Sequence, residues 1–487
     1  MLFSSISFLY YFLPITLLLH FIVPAGKAHA LRYKNLVLLI ASFVFYFWGE
    51  PKFCLLMAIS ICIAYVSGRL LSYTTEKKPA FRKPVFLLSV TIILLFLFIF
   101  KYFDFFIQTI NQVTGSAFSL LRLALPLGIS FYTFQIISYQ IDVYNGKISA
   151  ERSLLDFAMY ISFFPQLVAG PIVRYETLQS EVKRRTCTVT QIGVGCQRFL
   201  IGLSKKLILA DAYGQLIKQL QAHGSICTGE AWLIAIAFTL QIYFDFSGYS
   251  DMAIGLGHMF GFHFPENFDY PYMSKSITEF WRRWHMTLGG FFRDYVYIPL
   301  GGNRVPFIRW TFNVFIVWGL SGFWHGAGFN FILWGLFYGL LLWFEKLALG
   351  KLLKKLPAFL QHGYVILLTV LGFVIFRAES LNELGGLLKS MFSIPLSPKS
   401  VYHEFTLYYL KSYLPLLLLG VFGCTSLPKK AWYYLYEKAF RDTHTRLTLF
   451  WQKAMALIEL LIPFILLFLC TSYLISGSYQ TFLYFRF

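Results

Sequence analysis

Charge is scarce in this sequence. Only 13% of its 487 residues are Asp, Glu, Lys or Arg, about half of the roughly 25% carried by a soluble domain. With 57% hydrophobic and 20% aromatic residues, most of the chain must face lipid or other apolar helices. Carboxylates are scarcest of all, 23 Asp and Glu against 42 Lys and Arg. The resulting +19 does not indicate nucleic-acid binding. The basic residues lie in short clusters between apolar runs, as the positive-inside bias requires, with no basic domain or tail. A basic cytosolic face does suit an anionic donor such as a coenzyme A thioester.

Paired cysteines are also missing. The seven cysteines (54, 62, 187, 196, 227, 424 and 470) form no CxxC, which argues against a disulfide framework or a zinc site. No metal is expected. His258 and His263, five apart, would not align on one face of a straight helix. No Lys or Arg precedes Lys27, so the positive n-region of a secretory signal is lacking, although Ala28-His29-Ala30 resembles a cleavage site. Residues 4–23 are read as a retained first span. No internal repeat or low-complexity segment is evident.

Long apolar runs are abundant: 4–23, 36–49 with 53–71 (hinged at Gly49-Glu50-Pro51), 85–107, 125–144, 231–256, 311–323 with 328–344, 363–376, 405–423 and 456–475. A crossing helix needs about 20 residues. The expected fold is an all-α polytopic membrane protein, one domain over 1–487, with roughly 10–13 membrane segments, some of them short, tilted or half-crossing. Lys27, Arg32 and Lys34, then Arg69, Lys77, Lys78, Arg82 and Lys83, place alternate loops in the cytoplasm and the N-terminus outside it. The cluster Lys429, Lys430, Lys438, Arg441, Arg446 and Lys453 precedes one last span, so the C-terminus should also emerge outside. The parity breaks at 154–190, where basic residues flank both ends and Pro165, Gly170 and Pro171 interrupt the helix. A re-entrant or kinked segment, shielded from lipid by protein, is expected there.

Two stretches carry candidate chemistry. In SITEFWRRWHMTLGGFFRDYVYIPLGGNR (276–304), Ser276 followed by Glu279 fits a capping box, so a helix should start near Ile277. At helical spacing Trp281, Trp284, His285 and Leu288 share one face. His285 is then either a packed core histidine or a functional one. In SGFWHGAGFNFILWG (321–335), His325 lies where, from Val314 to Phe344, only Ser321, His325 and Asn330 are polar apart from Trp and Tyr. Gly319, Gly322, Gly326 and Gly328 predict two helices meeting at a junction that holds His325. An ionisable group at such depth is costly and marks a functional site.

The pieces PQLVAGPIVRY (165–175), YFDFSGYSDMAIGLGHMFGF (243–262), FWRRWHMTLGGFFRDYVYIPLGGNR (280–304) and GFWHGAGFNFILWG (322–335) together resemble the membrane-bound O-acyltransferase family. The similarity is greatest to its bacterial branch, which includes the alginate and peptidoglycan O-acetylation proteins and the teichoic-acid D-alanylation protein. The resemblance implies a ring of membrane helices around a thinned centre, with a tunnel between a cytosolic donor and an external acceptor. The motif core covers about 125–345. His325 maps onto the family's hallmark catalytic histidine and His285 onto the second one. Trp324 and Asn330 beside His325, and Trp284 and Arg283 beside His285, are the candidate substrate-contacting residues. Asp245, Ser247, Tyr249, Ser250 and Asp251 either line the tunnel or cross-link helices.

The implied activity is transfer of an acetyl group from acetyl-CoA, a substrate rather than a bound cofactor, to a cell-surface polysaccharide at the bacterial cell membrane. Delivery is direct or through a secreted or membrane-anchored hydrolase-like (SGNH-type) partner. Histidine suits general-base removal of a hydroxyl proton at neutral pH. His285 would position the acceptor or stabilise the oxyanion. The aromatic tail, 476–487, ends in FLYFRF. It resembles the aromatic ending of several relatives and that of a small separate membrane peptide accompanying the D-alanylation protein, which implies Tyr484 as a covalent acceptor of the acyl group; alternatively Phe482, Tyr484, Phe485 and Phe487 are interfacial anchors. A flippase or transporter, or a scaffold for such machinery, is the rival reading. The first predicts ionisable pairs along a pathway and repeated halves, and the second leaves His325's burial without a purpose.

Overall fold

A computed structural model describes residues 1–23, 29–222, 224, 226–393, 403–441, 446–477 and 482–483, with no side-chain description at 441, 446 and 447. Lys27, Arg441 and Arg446 (as side chains), Ser478, Tyr484, Phe485 and Phe487 fall outside it.

The described residues form helices and no β-strand, apart from one isolated bridge between Phe268 and Trp284. In chain order they are α1 (Phe8–Phe21), α2 (Ala30–Gly49), α3 (Cys54–Lys77), α4 (Pro79–Thr114), α5 (Ile129–Tyr144), α6 (Leu154–Ser162) and α7 (Tyr175–Lys183). Then follow α8 (Val189–Ser204), α9 (Asp211–Gln221), α10 (Thr228–Met259), α11 (Ile277–Arg283), α12 (Met286–Phe292) and α13 (Phe307–His325). The last are α14 (Phe329–Leu353), α15 (Ala358–Arg377), α16 (Leu381–Phe392), α17 (Glu404–Gly423), α18 (Leu427–Arg441) and α19 (Arg446–Ile475). Among the described residues, eight helices are long and apolar enough to cross a membrane: α2, α3, α4, α10, α14, α15, α17 and the 448–475 part of α19.

Some predicted segments take other forms. The run 4–23 yields the shorter α1. The run 125–144 yields only the 16-residue α5, about 24 Å long, whose side chains are nearly all buried. The 154–172 run is broken, as its prolines and glycine require: α6 ends at Ser162 and a single turn, Phe164–Leu167, follows. Ile161, Phe163, Phe164 and Leu167 are fully buried, so this irregular backbone is surrounded by protein.

α10 is the central post. In its most apolar window 89% of residues are buried, against 11% for the peripheral α19. Glycine spacing explains how α8 reaches it. Gly195 and Gly202 on α8 lie opposite Gly255 and Gly248 on α10, both pairs seven apart, so two successive contacts fall on one face of each helix. A Cβ at Gly255 would sit 2.6 Å from the Gly195 carbonyl oxygen, and one at Gly195 2.6 Å from that of Gly255. Without a hydrophobic force between helices in lipid, such close backbone packing holds spans together. Gly255→Leu is therefore expected to lower stability by about 1–3 kcal/mol. Gly193→Leu, on the same α8 but with open space around it, should change it little. Thermal unfolding in detergent compares the two.

Polar cross-links complete the post. Asp251 binds Lys205 at 2.6 Å and Arg198 at 2.8 Å, and Arg198 also holds Glu266. Asp245 pairs with Lys206, which also pairs with Asp211. These α10 groups thus link helices. Ser250 accepts from Asn267 Nδ2 at 3.1 Å, a contact that leads to the site below.

Candidate active site

The family-motif histidines are placed by two different backbone devices. α13 ends at His325, where Gly326 turns extended, and α14 starts at Phe329 after an equally extended Gly328. The hairpin closes tightly because a Cβ at Gly322 would strike the Phe331 carbonyl, and one at Gly335 the Trp318 carbonyl. The predicted two-helix junction is therefore present, with His325 buried at its tip. Trp324, Trp334 and Phe376 meet the His325 ring edge-on at centroid distances of 5.0, 5.0 and 5.2 Å.

His285 corrects the sequence reading. Ser276 Oγ does accept the Glu279 N–H, and α11 starts at Ile277, but the helix stops at Arg283 instead of running through Leu288. Trp284 is extended, pairing with Phe268, while Asp269 N–H donates to Arg283 O and Met286 N–H to Asn267 O. This loop pairing competes with helix propagation and leaves His285 left-handed, at φ 45° and ψ 53°, a conformation uncommon for a residue with a Cβ. Asn267 Oδ1 accepts from Thr287 and lies 3.0 Å from His285 Nδ1. With the amide nitrogen of Asn267 on Ser250, that oxygen is the acceptor, so Nδ1 carries the proton and Nε2 the lone pair. Burial drives the His285 pKa down to about 3, so the ring is neutral at physiological pH.

Both histidines line one cavity of about 1290 Å³, together with Trp281, Trp284 and Leu288. The four residues assigned to one helical face thus still share a wall, across a broken backbone. Away from the histidines the lining includes Lys275, Arg282, Arg293, Lys346 and Lys354. Its two carboxylates are occupied. Glu279 pairs with Arg283 at 2.9 Å, and Glu345 accepts the Ile277 and Thr278 N–H groups at the start of α11. A second cavity of about 350 Å³ is lined by Ala327, Gly328, Asn330, Gln108, Gln112, Glu379 and Asn382, among others. The large cavity follows α14 to Leu353 and touches Gln361 near the start of α15; the small one touches the start of α14 and the turn after α15. They sit at opposite ends of these helices, and the 325–328 turn lies between them.

The other sequence candidates fall in varied places. Trp284 lines the large cavity and Asn330 the small one, its amide donating to Phe376 O. Trp324 lines neither; it stacks on Phe134 at 5.4 Å and lies beside both histidines, at 6.1 Å from the His285 ring and 5.0 Å from that of His325. Arg283 is engaged with Glu279 and Asp269 outside the cavity, whereas its neighbour Arg282 lines it. Tyr484 lies outside the described residues. Just before it, Phe482 is buried, with its ring 4.6 Å from Lys206 Nζ and edge-on to Tyr249, and Leu483 N–H donates to Asp245 at 2.8 Å. Phe482 is therefore packed within the protein, not an interfacial anchor, because the buried Lys206–Asp245 pair holds this part of the tail. On the same helix Phe246 contacts the His285 ring at 4.6 Å.

Sequence reasoning missed Lys101, whose ammonium reaches the Trp324 carbonyl at 2.6 Å, Ser130 Oγ at 3.2 Å and the His325 carbonyl at 3.3 Å. The signal was available: it is the only charged residue between Lys83 and Asp104, and the depth argument used for His325 applies equally to it. Asn267 gave no local signal. Cys227, Glu230 and His403 bring possible metal ligands within 4.8 Å of one another. Glu230, however, already accepts from His403 Nδ1, Thr406 Oγ1 and Cys227 N–H, bonds that tie the starts of α10 and α17 together.

The chain is also similar to known proteins. Residues 148–376 match the model of the MBOAT, membrane-bound O-acyltransferase family. The chain is 44% identical to the probable alginate O-acetylase AlgI of Pseudomonas aeruginosa over 398 residues, 81% of this chain and 75% of that protein. It is 35% identical to the peptidoglycan O-acetyltransferase of Helicobacter pylori over 422 residues, 80% of each. To the teichoic acid D-alanyltransferase of Bacillus subtilis it is 30% identical over 257 residues, 48% of this chain and 62% of that one. With its membrane-length helices and two buried histidines on one cavity, the chain belongs to the membrane-bound O-acyltransferase family and is a multi-pass membrane O-acyltransferase.

Proposed function

We propose that this protein moves an acetyl group from acetyl-CoA in the cytoplasm to hydroxyls of a cell-surface polysaccharide, with His325 as general base. The observation that carries the reading is His325's position, in the wall of the large cavity and next to the turn lining the small one. The basic clusters between spans favour a cytoplasmic position for the large cavity's basic end and an outside position for both chain termini. Lys275, Arg282 and Lys354 there suit the phosphates of a coenzyme A thioester. The small cavity's amides and carboxylate suit a hydroxyl-bearing acceptor. The names of the P. aeruginosa and H. pylori relatives support alginate or peptidoglycan as the kind of acceptor.

In the chemical step the attacking hydroxyl oxygen bonds to the thioester carbonyl carbon while His325 takes its proton. The C–S bond breaks, and the coenzyme A thiolate receives the proton. His285 helps to orient the reactants, its tautomer fixed by Asn267. Tyr484 is the first acceptor in this reading: its phenol oxygen takes the acetyl group. A hydroxyl of the polysaccharide or of a hydrolase-like partner then attacks that ester carbonyl. The bond to the tyrosine oxygen breaks, and the phenolate takes the attacking hydroxyl's proton. A strain lacking this protein should lose ester-linked acetate from one surface polysaccharide and regain it with the wild-type gene. Unchanged acetate in every surface polymer would sink the proposal.

A further inference from the structure

We infer that Lys101 is a positioning residue for acyl transfer: its side-chain amine holds the last turn of α13 and brings positive charge beside His325. The inference rests on the reading of His325 as the general base.

The geometry begins at the end of α13. An α-helix leaves its last four carbonyls without intrahelical partners, and here they belong to residues 322–325, the segment that carries the histidine. Gly326 leaves in extended conformation, so no further helical turn satisfies them. α4 supplies the cap from 220 residues away in sequence. Tyr102 OH donates to Phe323 O at 2.9 Å, and Lys101 Nζ donates to Trp324 O at 2.6 Å and His325 O at 3.3 Å. Both side chains come from one π-helical turn, Phe98–Tyr102, a widened helical geometry found often at functional sites. The stacking of Tyr102 on Phe323 at 4.0 Å fixes the register.

Lys101 and Tyr102 do not have the same role. Capping alone would be served by neutral donors such as the Tyr102 hydroxyl. An ammonium costs far more to bury, and among the described residues no carboxylate lies within ion-pair distance of it. Its partners among those residues are neutral: three oxygens and the faces of Trp324 and Tyr102, 5.8 and 5.9 Å from Nζ. A cation at the negative end of a helix dipole is stabilised by that end, which accounts for part of the burial. Nζ stays 3.3 Å from the His325 carbonyl, beside the proposed reaction centre. There the transfer step creates a negative tetrahedral oxygen from a neutral thioester, so a preorganised cation lowers that barrier.

Lys101→Met keeps the length and apolar stem and removes the charge and the donors. It should lower kcat by about 10–100-fold, with the donor KM within about twofold of wild type, because the missing interaction acts on the transition state. Lys101→Arg should recover at least about tenfold of that loss. Tyr102→Phe, which removes a neutral cap on the same turn, should cost less than about threefold. Turnover is measured with acetyl-CoA and a soluble acceptor oligosaccharide in proteoliposomes, and normalised to folded protein. Three results would overturn the inference: wild-type kcat in Lys101→Met, equal losses in Lys101→Met and Tyr102→Phe, or a loss that Lys101→Arg does not relieve. If His325→Ala retains full activity, the reading of His325 fails instead, whatever Lys101 does.

Discussion

Replacing His325 with alanine is expected to lower acyl transfer by about 10²–10⁴-fold, the usual contribution of a positioned general base. The protein should still insert and be extracted at the wild-type level. The imidazole contacts the aromatic edges of Trp324, Trp334 and Phe376, and these also pack on other partners, Trp324 on Phe134 and Trp334 on Tyr338. The tight hairpin depends on Gly322 and Gly335, which the substitution leaves alone. His285→Ala should reduce activity by a smaller factor, because in the proposed mechanism that ring only orients the reactants, and the backbone beside it is held independently through Met286 N–H on Asn267 O. Ester content of the surface polymer and turnover in proteoliposomes read the two variants side by side. Wild-type ester content in His325→Ala would end its assignment as the base.

Tyr484→Phe is expected to abolish transfer to the acceptor almost completely. The change removes one hydroxyl and keeps the ring, so a tail that only anchors would behave nearly as wild type. The tail's approach favours the relay. Phe482 is buried against Lys206 and Tyr249, and Leu483 is fixed to Asp245, so the chain immediately before Tyr484 enters the protein beside α10. The next residue of that helix, Phe246, packs on His285. Mass spectrometry after incubation with acetyl-CoA should find an acetyl adduct on Tyr484 in the wild-type protein and none in His325→Ala. Full activity of the phenylalanine variant would leave direct transfer at His325 as the mechanism.

Composition and local pattern were enough to identify the class of protein, the helical content and the position of the buried histidine. Scarce charge, apolar runs of membrane length and basic residues confined to loops leave few alternatives to a bundle of membrane helices, since lipid offers the backbone no other partner. The glycines around His325 marked the helix junction because close approach of two backbones excludes any larger residue. What the sequence did not decide depended on long-range pairing. The Phe268–Trp284 bridge that ends α11 and turns His285 left-handed forms only when the loop preceding α11 folds back alongside, and helical periodicity contains no trace of it. The capping of α13 by Lys101 and Tyr102, and the docking of Phe482 on Lys206, join residues more than 200 positions apart. Local pattern fixed which groups are too costly to leave in lipid, and tertiary structure alone decided which partners make their burial possible.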